Sequence, residues 1–279
     1  MPNYFFVSDL HGITERYEKL FQTILNEKPQ ALFLGGDLLP HHYHDKHFVN
    51  DYLLPNLLSI KQQLNASYPK IFLILGNDDA RSEEPYIIRA AQNNLFHYIH
   101  FNSSELDGRK ILGYSFTPPS PFLLKDWEKY DVSRYTEHGC ISPEEGKRSV
   151  EISPNEKKYS TIKKDLELLT GSEDISNAII LFHGPPYQTN LDRAALDGKV
   201  LDHAVVDLHV GSIAIKRFIE QRQPHITLHG HIHESARITG SWKERIGKTF
   251  CFTTAHDGTE LAIVKFDSNK PEDAERILL

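Results

Sequence analysis

"YFFVSDLHGITERYEKLFQTILNEKPQALFLGGD", residues 4–37, carries the alternation on which the fold turns. Tyr4 to Val7 form an apolar run of strand length. After it, Tyr17, Leu20, Phe21, Ile24 and Leu25 recur on one helical face, and Pro29 stands just past the end. "ALFLGG" is again continuously apolar. Strands that are apolar throughout are buried on both faces. The stretch therefore predicts two parallel strands joined by a covering helix.

Working outward, "KIFLILGND" repeats the strand signal. Residues from about Asp45 to Leu64 are expected to be helical, with Pro55 kinking or splitting the segment. "EEPYIIRAAQNN" predicts a helix, and "LFHYIHF" and "RKILGYS" two strands. From Phe116 to Ser160 the chain is rich in Pro, Tyr, Ser and charge, which marks an insertion over one face at about 116–160. "NAIILFHGPP" restores a strand, and "GSIAIKRFIEQRQP" is a helix leading into "ITLHGHIHES". "KTFCFTTAHDGTELAIVKFD" alternates like paired antiparallel strands. Without a linker or an internal repeat, residues 1–279 read as a single α/β domain with two helix-covered sheets.

The bulk composition excludes several classes. Hydrophobic residues at 39% and charged residues at 25% fit a globular chain. A net charge of -7 argues against an extended nucleic-acid surface, which needs clustered Lys and Arg. It leaves room for a small anionic substrate if a metal site supplies local positive charge. Cys140 and Cys251 form no CxxC motif, which favours a reducing cytoplasm. "MPNYFFVSDL" lacks a basic leader and reads as a first strand, and no apolar run has the length of a membrane span.

Polar residues gather just after the apolar strands. "SDLHG" supplies Asp9 and His11, "GGD" Asp37, "GNDD" Asn77, Asp78 and Asp79, "HGPP" His183, and "GHIH" His231 and His233. In an open α/β sheet, ligands bind at the carboxyl ends of the strands, so these side chains are expected to converge. Each fragment alone has a plainer meaning. Asp-x-His can be a helix cap beside a surface histidine, while "GGD" and "GND" are common turns. A lone His before Gly-Pro-Pro is usually structural. Five such fragments, each ending its own strand, are hard to assign to turns alone. The adjacent glycines would let the backbone approach a shared centre. Two carboxylates, one amide oxygen and four imidazoles are too many for one tetrahedral ion. They suit two ions sharing a carboxylate, and the mixed oxygen and nitrogen donors suit Mn, Fe, Zn or Co.

In this order, "SDLHG", "GGD", "GND", "HGPP" and "GHIH" resemble the motifs of the calcineurin-like metallophosphoesterase superfamily, from Asp9 to His233. "HGPPYQT" and "GHIHES" are most similar to its small bacterial cyclic-phosphodiesterase-like branch. The resemblance implies a four-layer αββα sandwich of two mixed β-sheets flanked by helices. It implies that Asp9, His11 and His233 hold one metal ion, that Asp37 bridges, and that Asn77, His183 and His231 hold the second. It also implies a phosphoesterase in which a metal-bridging hydroxide attacks a small phosphoester substrate. A phosphodiester is favoured; a phosphomonoesterase or protein phosphatase is the alternative, and a non-catalytic metal-binding scaffold a further one.

The chain departs from the family at one position. Where many members have a substrate-contacting histidine after the motif Asn, this chain has Asp78, followed by Asp79. Asp78 can serve as a catalytic acid only with a well-raised pKa. Otherwise it caps the next helix or hydrogen-bonds a metal ligand. His229 has no assigned ligand role and is expected to pack beneath the site or to orient a ligand. The "HHYHDKH" loop from His41 to His47, the group Asp202, His203, Asp207 and His209, and the pair His256 and Asp257 each read as cleft-lining or simply solvated. Trp127 and Tyr130 are expected to pack rather than to wall the cleft.

Overall fold

A computed structural model describes residues 3–41, 47–201 and 203–279. In chain order the elements are β1 (Tyr4–Val7), α1 (Thr14–Glu27), β2 (Ala31–Gly35), α2 (Leu54–Leu64), β3 (Lys70–Ile74), α3 (Glu84–Ala91), β4 (His97–Tyr98), β5 (Ser103–Leu106) and β6 (Arg109–Tyr114). They continue with α4 (Pro154–Tyr159), α5 (Ile162–Thr170), β7 (Ile179–Phe182), β8 (Val200–Leu201), β9 (Ala204–Val205), α6 (Ile213–Arg222), β10 (Ile226–His229) and α7 (Ser235–Thr239). Strands β11 (Lys243–Ile246), β12 (Thr249–Thr253), β13 (Ala262–Asp267) and β14 (Lys270–Leu278) complete the chain.

Two six-stranded mixed sheets form the centre, ordered β14-β13-β1-β2-β3-β4 and β11-β12-β10-β7-β6-β5. In the first, β1 to β4 run parallel, with Tyr4 beside Ala31 and Ala31 beside Lys70. In the second, β6, β7, β10 and β12 run parallel. Successive side chains of a strand point to opposite faces. Tyr4 and Phe6 thus enter the seam between the sheets with Phe33, Phe72, Leu181, Leu228 and Phe252. Phe5 and Val7 face the other way and share a core with Tyr17, Leu20 and Ile24 of α1. Burying each large apolar side chain contributes about 2 kcal/mol. This two-sided burial makes the central strands apolar throughout.

Several sequence expectations change. The late strands β12 and β13 do not pair with each other. β12 lies parallel to β10 and antiparallel to β11 in the second sheet, while β13 pairs with β1 and β14 in the first. Alternating polarity marks a strand's faces but does not name its neighbour. The segment divides next to Pro55: the chain winds as a π-helix over Phe48–Leu53 and as α2 from Leu54, with Pro55 in the first turn of α2. Asp45 lies outside the described residues. Within "LFHYIHF" only His97 and Tyr98 form a strand, and β5 is an addition.

Trp127 is fully buried in the core beside Phe116, with ring centroids 5.3 Å apart, and Tyr130 is also buried. Nearby, Lys125 and Glu128 form an ion pair with both side chains inaccessible to solvent. Both aromatic side chains pack, as expected.

Candidate metal centre

Five strand ends point to one place: β1, β2 and β3 from the first sheet, β7 and β10 from the second. Four side chains there sit on left-handed backbone, at Asp9 (φ 57°), His11 (φ 49°), Asp37 (φ 52°) and His231 (φ 76°). Such conformations are uncommon outside glycine and concentrate at functional sites. Main-chain bonds hold the turns in place, Asp9 N to Gly36 O at 3.0 Å and His11 N to Asp37 O at 2.8 Å. Close approach also needs glycine. A Cβ on Gly36 (φ 93°) would stand 2.6 Å from His183 Nδ1, and one on Gly230 would stand 2.7 Å from Asp9 Oδ2.

The side chains form two groups that share Asp37. Asp9, His11, Asp37 and His233 bring one ligand atom each within 4.8 Å of one another, and so do Asp37, His183 and His231. In the first group, His11 Nε2 lies 3.1 Å from His233 Nε2, and His233 Nε2 lies 3.4 Å from Asp9 Oδ1. Asp9 is held from outside by the His231 N–H at 3.0 Å and by the Ser8 hydroxyl. In the second group, His183 Nε2 lies 2.9 Å from Asn77 Oδ1 and 3.2 Å from Asp37 Oδ2. The structure thus brings Asp9, His11, Asp37, Asn77, His183, His231 and His233 together.

The donor set fits cations. His183 Nδ1 donates to Gly35 O at 2.8 Å. Neutral His183 therefore turns its Nε2 lone pair toward two further lone-pair oxygens, and only a proton or a metal ion satisfies all three. The protein groups alone show the same demand. Burial would lower His183, yet the Asp37 and Asp9 carboxylates push it up to about 10. His233 is likewise pushed up to about 9 by Asp9, against its burial. Burial would raise Asp37, but His183 draws it down to about 2. His231, partly buried and facing His183, falls to about 3 and is a neutral donor at physiological pH.

Asp78 lies at the mouth. Its backbone N–H donates to Asp37 Oδ1 at 2.8 Å. Its carboxylate faces His41 Nδ1 at 3.3 Å and His11 Nδ1 at 3.7 Å. It caps no helix, because Ala80 is the N-cap of the Arg81–Glu83 turn and Glu83 that of α3. Asp9 does not cap α1 either, whose N-cap is Ile13. Burial and the Asp37 carboxylate push Asp78 up to about 7, and cations bound at Asp37 would offset the second cause.

Asp79 has no role legible in the sequence, yet it ties two ligand turns together. Its fully buried carboxylate accepts the N–H of Leu38 at 2.9 Å, Leu39 at 2.7 Å and Gly76 at 2.8 Å. Asp37 and Asn77 are thereby held in register. Ser8, Thr254 and Arg16 are similar supports. Ser8 Oγ lies 2.8 Å from Thr254 Oγ1, and Arg16 donates to Asp9 O at 2.7 Å. An acid doubled in "GNDD" is the one visible signal.

His229 packs beneath the site. It is fully buried, stacks on Phe182, and its Nδ1 lies 3.0 Å from Gly184 O. His256 pairs with Glu260 and Asp257 with Arg237. His209 pairs with buried Asp192, and Asp207 accepts from Tyr187. Within the histidine-rich loop His41 is exposed, while residues 42–46 lie outside the described residues, as does Asp202.

The calcineurin-like phosphoesterase profile matches residues 3–235. An uncharacterised protein of Methanocaldococcus jannaschii, MJ1162, is 33% identical over 99 residues. That segment is 35% of this chain and 38% of the relative's length. The crystal structure of TT1561 of Thermus thermophilus superposes with a TM-score of 0.58 at 16% identity, covering 99% of this chain and 98% of that one. At that identity the likeness speaks for the shared fold.

Proposed function

This chain belongs to the calcineurin-like phosphoesterase family, a family of metal-dependent phosphoric ester hydrolases, and we propose that it hydrolyses a small phosphodiester at a pair of divalent cations. Asp9, His11 and His233 would hold one ion, and Asn77 (through Oδ1), His183 and His231 the other. Asp37 would serve both. The observation that carries this reading is the pair of ligand groups meeting at one buried carboxylate. Bound there, Mn, Fe, Zn or Co supplies Lewis acidity that makes water a nucleophile at neutral pH and neutralises phosphate oxygens.

The chain's own residues set the rest. Two divalent charges exceed the two carboxylates that face them, so an acidic protein still presents a positive centre to an anion. Asp78 at the mouth repels a dianionic monoester more than a monoanionic diester, which favours the diester. A nucleic-acid surface has no support in the net charge of -7. Two unpaired cysteines, Cys140 and Cys251, favour a reducing cytoplasm. The 116–160 segment is best read as an insertion within one domain. Among the described residues no helix is long and apolar enough to cross a membrane.

The test is reconstitution of chelator-stripped protein with single ions, followed by kcat/KM on matched aryl phosphate mono- and diesters. The diester is expected to win by about tenfold or more, the ratio produced by roughly 1.4 kcal/mol. A faster monoester would favour the phosphatase alternative. Two bound ions with no turnover on any phosphoester would indicate a scaffold.

A further inference from the structure

The departure at position 78 has a consequence for the metal ligands themselves. His11 turns Nε2 toward His233 and the first ligand group. A neutral imidazole that offers Nε2 to an ion must carry its proton on Nδ1. His11 is 8% exposed, and its Nδ1 is buried with no hydrogen-bond partner. A buried N–H without an acceptor is costly. The carboxylate facing it is Asp78, with Oδ2 at 3.7 Å. The other oxygen of Asp78 is already engaged. Asp78 Oδ1 accepts from Asn77 Nδ2 at 3.2 Å, which turns the Asn77 carbonyl oxygen toward His183.

We propose that Asp78 is a positioning residue shared by both ion pockets. One carboxylate oxygen takes the His11 Nδ1–H and fixes that ring for the first ion. The other takes the Asn77 amide N–H and fixes its oxygen for the second. The inference rests on the metal-centre reading above. Three features favour it. The backbone of Asp78 is pinned to Asp37, so the side chain starts from a fixed point. The terminal torsion of an aspartate is soft, so a small rotation shortens the contact to His11 at little cost. A carboxylate also has lone pairs for both donors, whereas an asparagine offers one acceptor and one donor. An aspartate therefore fits this position better than any neutral residue of its size. His41, stacked on His11 with centroids 4.4 Å apart, shares Asp78 Oδ2 from the solvent side. It is a secondary partner and not the support of the ion pockets.

The experiment is metal binding by chelator competition with Zn and Mn on the wild type, Asp78→Asn, Asp78→Ala and His41→Ala. Thermal melts of the chelator-treated proteins serve as a folding control. Replacing a group that orients a ligand costs about 10–100-fold in metal affinity. Asp78→Ala is expected to weaken both ions by such a factor, Asp78→Asn at least one of them, and His41→Ala neither by more than about threefold. A second readout is the downfield imidazole N–H proton resonance of His11 in the zinc-loaded protein, expected in the wild type and lost in Asp78→Ala. Wild-type affinity for both ions in Asp78→Ala, with the resonance intact, overturns the inference alone. A wild type that takes up no pair of ions overturns it together with the metal-centre reading.

Discussion

The two candidate ligand groups share Asp37 and differ in what holds them. Around His183, Asp37 and Asn77 are deeply buried and His231 partly so, and the ring is anchored by the backbone oxygen of Gly35. Around His233 the pocket opens outward. That side chain is 34% exposed, and it neighbours an unpartnered His11 Nδ1 and the half-exposed His41 and Asp78. A ligand fixed by main chain is set by the fold before anything binds, while one fixed by side chains from separate turns is set only when those turns agree. The inner pocket should therefore be the permanent one and the outer pocket the exchangeable one.

Asp37→Ala breaks the comparison altogether, because it removes the one carboxylate common to both pockets. Both ions should be lost and turnover should fall more than about a hundredfold, beyond the loss expected for a merely orienting group. Asn77→Ala should mainly empty the inner pocket. Elemental analysis beside circular dichroism checks this; near-normal rates in saturating metal for both variants would contradict the assignment.

The difference between pockets is sharpened by comparing His183→Ala with His233→Ala. Loss of His183 should reduce the retained metal to one ion, since its pocket has no exposed side chain to substitute. Loss of His233 should leave a second ion that binds, about 10–100-fold more weakly. Equal loss in both variants would show that exposure does not separate the pockets.

The smallest effect concerns pH in chelator-treated protein. His183 and His233 are raised to about 10 and about 9 by their carboxylate partners. Their stabilising contribution is fully present below the ordinary value near 6.5 and is lost as pH rises through 9 to 10. The melting temperature should therefore fall across that alkaline window, and metal should abolish the dependence by replacing the protons. A melting temperature that is flat from pH 7 to 10 without metal would argue against these ion pairs.

Much of this was legible in the order of residues. Tyr4–Val7, Ala31–Gly35 and Lys70–Ile74 are apolar throughout because both faces are covered, and burial of that kind leaves its mark in composition. The seven candidate ligands could be picked out because each follows a strand, and parallel strands deliver their ends to one edge. Their union in two groups with Asp37 in common is geometry, and no spacing along the chain encodes it. The destination of β12 and β13 in different sheets was likewise invisible, since alternation records faces and not partners. Asp79 and the orphaned nitrogen of His11 stayed hidden for a related reason. What they do depends on a handful of hydrogen-bond distances between turns remote in sequence. Local pattern thus determined the strands, their burial and the chemical kind of the site. Tertiary structure alone decided which side chains gather into each group and which carboxylates lie beside them, because those are contacts of about 3 Å between residues tens to hundreds of positions apart.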